Sequence, residues 1–124
     1  MTFSVSRRIA APAEDVWALL TETAQWPVWG PSITGVEPAA AGGLAPGSRG
    51  RVRTVLGAAL PYTVTAFEPG RYWSWSVAGI PATGHRVVPQ DSGCLVTFTV
   101  PWWAPAYLPV CAVALRRIER LATR

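Results

Sequence analysis

The sequence predicts an α+β fold in which a curved antiparallel sheet of about six to seven strands surrounds a C-terminal helix. Three observations carry this expectation. Period-two apolar runs recur from Thr2 to Val100, separated by Gly- and Pro-bearing turns. One short helical stretch interrupts them early, around Val16, Trp17, Leu19 and Leu20. The last twenty residues switch to helical spacing, with Leu108, Cys111, Ala112, Leu115, Ile118 and Ala122 on one stripe. Strands in a meander with helices segregated to one face make an α+β architecture.

The elements follow in order. Thr2 to Ile9 alternates, with Phe3, Val5 and Ile9 on one face and Arg7 breaking the stripe near a sheet edge. Ala11 to Leu20 reads as a helix, with Pro12 in the first turn and Glu14 and Asp15 at the positive end of its dipole. Trp26 to Pro31 is a turn or a second short helix. Ile33 to Glu37 is a brief strand, and Ala39 to Gly47 a loop of small residues. Strands are expected at Ser48 to Leu56, Leu60 to Glu68, Arg71 to Val77 and Thr83 to Val88, joined at Gly57, Pro69-Gly70 and Gly79 to Pro81. Cys94 to Val100 is the last strand, and a helix runs from about Pro105 to Leu121.

Composition narrows the function. The 124 residues are the size of one domain, 1–124, with half of them hydrophobic and 15% charged. All eleven cationic side chains are arginine, and lysine and asparagine are absent, as a GC-rich bacterial genome would encode. The net charge of +4 is scattered without a basic stripe or a reading motif, which argues against a nucleic-acid partner. The N-terminus lacks the apolar core of a secretory signal, and the run from Pro101 to Leu115 is too short and proline-broken to span a bilayer. The expectation is a soluble cytoplasmic protein. Cys94 and Cys111 are expected to be free, buried thiols. No metal spacing, carboxylate pair, nucleophile elbow or phosphate loop is present, so no metal or cofactor is expected.

Four segments carry a family resemblance. They are Ile9 to Trp17 (IAAPAEDVW), Trp26 to Trp29 (WPVW), Phe67 to Trp75 (FEPGRYWSW) and Gly84 to Pro89 (GHRVVP). With the glycine turn that follows, they resemble the START-like (Bet v 1-like) SRPBCC superfamily, in its polyketide cyclase/dehydrase branch. The resemblance covers nearly the whole chain. It implies a helix-grip fold with a cavity between sheet and terminal helix. It does not fix an activity, since the superfamily holds lipid carriers, hormone receptors and aromatase/cyclases.

Candidate site residues follow from the two readings together. Trp73 and Trp75 share a strand face with Val77, and either line a cavity or pack the core. Val87, Phe98, Trp103, Tyr107, Leu108 and Cys111 complete the candidate ligand-binding set. His85 is the only histidine and shares a face with Thr83 and Val87. The resemblance places its position toward the cavity, which makes it the first candidate for a general acid or base; a structural histidine is the alternative. Tyr62, alternating with Leu60 and Val64, faces inward and is the second candidate. Arg49, Arg51 and Arg53 form a row that reads as a solvated face, with an anion-binding row as the sharper reading. Trp102, Trp103 and Tyr107 precede an arginine-rich helix, but a cap over the sheet's open end is favoured over a membrane contact. Two functions stay open: a carrier or binding protein for a hydrophobic or aromatic small molecule, and a polyketide cyclase, aromatase or dehydratase working by confinement and one proton-transfer group. A homodimer is compatible with either.

Overall fold

The computed structural model describes residues 2–37 and 44–124. Part of the predicted Ala39 to Gly47 loop lies outside them. Seven strands form one antiparallel sheet: β1 Thr2–Ile9, β2 Ile33–Glu37, β3 Arg49–Thr54, β4 Ala59–Glu68, β5 Tyr72–Val77, β6 Ile80–Gln90 and β7 Gly93–Pro101. Their spatial order is β1-β7-β6-β5-β4-β3-β2. Strands β2 to β7 make a plain meander, and β1 pairs with β7 from Thr2↔Pro101 to Ile9↔Cys94. The helices are α1 Ala13–Thr21, α2 Trp26–Trp29 and α3 Leu108–Ala122. None is long and apolar enough to cross a membrane among the described residues.

The alternation predicted for the strands sets which face is buried. On β7, Cys94, Val96, Phe98 and Val100 are buried and the residues between them are half-exposed. Val52, Tyr62, Val64, Trp73, Trp75 and Val87 continue the same buried face across the sheet. Helix α3 covers it with Cys111, Ala114, Leu115 and Ile118, which recur at helical spacing. Arg7, which breaks the apolar stripe of β1, reaches Glu119 of α3, with Nη2 2.8 Å from Oε1. The edge strand is thereby tied to the helix by a partly exposed ion pair, of the kind worth about 0.2–1 kcal/mol.

Tryptophans replace conventional caps between the short helices. Trp26 Nε1 donates to the Leu20 carbonyl at 2.9 Å, and Trp29 Nε1 to the Leu19 carbonyl at 2.8 Å. These carbonyls end α1 and have no partner inside the helix. Both indoles are thus held under the sheet by the same bonds that terminate α1.

Several boundaries differ from expectation, β6 among the most. Strand β6 begins at Ile80, not Thr83, because the β5–β6 turn is only Ala78-Gly79, with Val77 paired to Ile80. Both turn residues have positive φ, 53° and 78°, which matches the twist of a two-residue hairpin. Pro81 therefore lies within the strand, opposite Ser76, where the register shifts. At the other end of the molecule, Pro105–Tyr107 form a separate 3-10 turn before α3.

Candidate functional site

The strand ends converge on a pocket at one end of the sheet. The ends of β3 and β5, the starts of β2 and β6, and the Pro101–Tyr107 connection surround a cavity of about 260 Å³. Its walls are mostly apolar, with Ile33, Val52, Val77, Ile80, Val100 and Trp103 prominent. A slot of about 30 Å³ continues from it, between the Trp29–Ile33 connection and the start of α3, and ends on His85, Phe98, Cys111 and Ala114. Ser32, Ile33, Trp75, Thr83 and Tyr107 belong to both spaces. Ser32 Oγ and Tyr107 Oη lie 2.6 Å apart and bridge the slot's two sides. No Asp, Glu, Arg or Lys lines either space among the described residues. A wider groove at the opposite end carries Glu14, Arg71 and Asp91 and is a surface cleft between turns.

Beneath the pocket floor the sheet is filled by rings. Trp26 stacks on Trp73 at 5.4 Å and 8°, and meets Tyr62 and Trp75 edge-on. His85 stacks on the other side of this cluster, 4.0 Å from Trp73, with Phe98 edge-on at 4.7 Å. Offset-stacked and edge-to-face pairs are the favourable geometries for such rings. Gly50 makes room for Tyr62: a Cβ there would come within 2.8 Å of the Tyr62 ring.

A chain of hydrogen bonds fixes His85. Nδ1 lies 3.2 Å from the Trp73 carbonyl, which can only accept, so Nδ1 carries the proton. Nε2 is then an acceptor, and the Thr83 hydroxyl 2.9 Å away donates to it. Thr83 Oγ1 in turn accepts from Trp75 Nε1 at 3.0 Å. Burial dominates the titration of His85 and lowers its pKa to about 3, against a smaller upward pull from the Trp73 carbonyl. The imidazole is neutral, enclosed and bonded at both nitrogens. Burial raises the Tyr62 phenol, and it also raises the Cys111 thiol to about 11. Both cysteines are free and buried.

A family model described as polyketide cyclase / dehydrase and lipid transport matches residues 1–122. The chain belongs to that family. Solved structures share the fold at low identity. Protein MLL2253 from Mesorhizobium loti is 18% identical at a TM-score of 0.78, over 98% of this chain and 96% of that one. XoxI from Bacillus cereus is 17% identical at 0.74, over 98% and 95%. DynU16, a protein of the dynemicin biosynthetic locus, is 17% identical at 0.69, over 96% of this chain but 46% of its own. No curated protein matches.

Within this polyketide cyclase/dehydrase family member, the residues singled out from sequence separate into three groups. Trp75, Trp103 and Tyr107 line the pocket. His85, Phe98 and Cys111 line the slot, together with Trp75 and Tyr107. Tyr62, Trp73, Val87 and Leu108 line neither; the first three are buried in the core and Leu108 packs against it. Sequence reasoning passed over Thr83, Ser32 and Trp29 as site residues. Thr83 was legible, being two residues before His85 on the same face. Ser32 carries no such signal, because its position depends on how the α2–β2 connection crosses the start of α3.

Proposed function

We propose that this domain binds a neutral, hydrophobic small molecule in the pocket at the open end of the sheet, as a carrier or binding protein. The supporting observation is the pocket itself, about 260 Å³ of mostly apolar wall without a charged side chain. Apolar concavities with a few placed polar groups are the ordinary form of small-molecule sites. The alternative, a cyclase, aromatase or dehydratase, draws on the family description. It needs a group that moves a proton, and His85 is the only imidazole. Its enclosure and its two occupied nitrogens weigh against that role and favour binding.

Titration with the uncharged probe N-phenyl-1-naphthylamine tests the reading, followed by its fluorescence gain and by tryptophan quenching. Saturable one-to-one binding is expected. Trp103→Ala should weaken it several-fold with little change in melting temperature, since Trp103 is half-exposed at the rim. Absence of saturable binding, or binding indifferent to every pocket substitution, would sink the proposal. Mass spectrometry of small molecules that co-purify with the native protein would then identify the natural occupant.

A further inference from the structure

The polar wall of the pocket has a direction. Thr83 lines both the pocket and the slot, and its hydroxyl is the middle member of the Trp75–Thr83–His85 chain. The Trp73 carbonyl forces the His85 proton onto Nδ1. The bare Nε2 therefore takes the Thr83 hydroxyl proton. A hydroxyl has one proton and two lone pairs. One lone pair of Thr83 accepts from Trp75, so what remains is a single lone pair and no proton. Reversing the chain would require Nδ1 to lose its proton while facing the Trp73 carbonyl, leaving two lone pairs opposed. Thr54, the other threonine of the wall, donates to the Ala58 carbonyl at 3.2 Å and is committed in the same way.

We infer that Thr83 is a specificity-determining acceptor, and that the pocket selects neutral ligands presenting a hydrogen-bond donor, a phenol, alcohol or N–H, over those presenting only a carbonyl or ether oxygen. The inference rests on the proposed binding function and deepens it. An ether or ketone oxygen set against Thr83 meets a lone pair and loses its hydration without replacement. Ser32 and Tyr107 share one hydrogen bond and keep one hydroxyl proton between them, so an acceptor is tolerated against that pair and not against Thr83.

Three naphthalenes of similar shape test it by calorimetry: 2-naphthol, 2-methoxynaphthalene and 2-ethylnaphthalene. The expected result is 2-naphthol binding about tenfold or more tighter than the ether, with the ether no better than the hydrocarbon. Thr83→Ser should keep the preference and Thr83→Val should erase it. Equal or tighter binding of the ether overturns the inference while leaving the pocket as a binding site; failure of all three to bind overturns both. Nitrogen NMR of His85 in the wild-type protein needs no variant to fold. Protonated Nδ1 and bare Nε2 across neutral pH are required, and the opposite tautomer would free the Thr83 proton and refute the assignment.

Discussion

His85 couples the pocket wall to stability. Its folded pKa of about 3 lies below the ordinary value of 6.5, so between these limits the unfolded chain binds a proton that the folded one does not. Stability is then full above about pH 6.5 and falls as the pH drops toward 3, by roughly 1.4 kcal/mol per unit at the steepest. Urea unfolding at pH 7, 6 and 5 should show a midpoint declining in that sense. In His85→Gln the decline should flatten, at a cost of about 1–3 kcal/mol at pH 7 for the disturbed bonds. A midpoint equally pH-dependent in the variant would assign the effect elsewhere. Ala78 is the opposite case, an exposed residue whose backbone is the problem. It holds φ at 53° in the β5–β6 turn, where an L-residue other than Gly, Asn or Asp is strained. Ala78→Asn creates the Asn-Gly pair that such turns prefer. It should raise stability by about 0.5–1 kcal/mol, read as a higher urea midpoint at unchanged slope.

Among the elements, α3 and the strands were legible because their signals are local. The spacing of Cys111, Leu115 and Ile118 predicts the buried face of α3, and all three are at most 2% exposed. The alternation of Cys94, Val96, Phe98 and Val100 predicts the buried face of β7 equally well. The start of β6 was not legible, because Gly79-Ile80-Pro81 looks like a turn and only the pairing of Val77 with Ile80 makes it a strand. The site was half legible. Alternation puts Trp73 and Trp75 on one face, but it does not say that Trp26 stacks on Trp73 and leaves Trp75 at the pocket edge. That outcome depends on α2, four residues held by two indole hydrogen bonds to α1. Two substitutions separate the contributions to α3. Leu115→Ala should cost about 2–5 kcal/mol, as loss of a fully buried leucine does. Arg7→Ala should cost less than about 1 kcal/mol, because its pair with Glu119 is partly exposed. Chemical denaturation of both variants measures the difference, and a larger loss for Arg7→Ala would mean that β1 is anchored mainly through Glu119.

The whole molecule is divided into a charged end and an uncharged end. Thr54 to Ala66, Tyr72 to His85 and Ser92 to Leu115 contain no Asp, Glu, Lys or Arg, and these segments supply most of the pocket wall. Leu56, Ile80, Trp102 and Trp103 stand exposed around that end. Arg49, Arg51 and Arg53 lie on the exposed face of β3, with Arg53 paired to Glu37; none of the three lines the pocket, whereas Val52 on the opposite face does. Ligand binding and net charge should therefore be uncoupled. The screening length falls from ~10 Å at 0.1 M salt to ~3 Å at 1 M, which removes long-range attraction to exposed arginines. Burial of apolar surface is not weakened by that screening and carries a negative heat-capacity change. The dissociation constant of N-phenyl-1-naphthylamine should thus stay within about twofold, or tighten, between 0.1 and 1 M sodium chloride. Calorimetry at several temperatures should give a binding enthalpy that becomes more negative on warming. A binding enthalpy that does not change with temperature would instead mean that the probe buries little apolar surface and does not occupy the pocket.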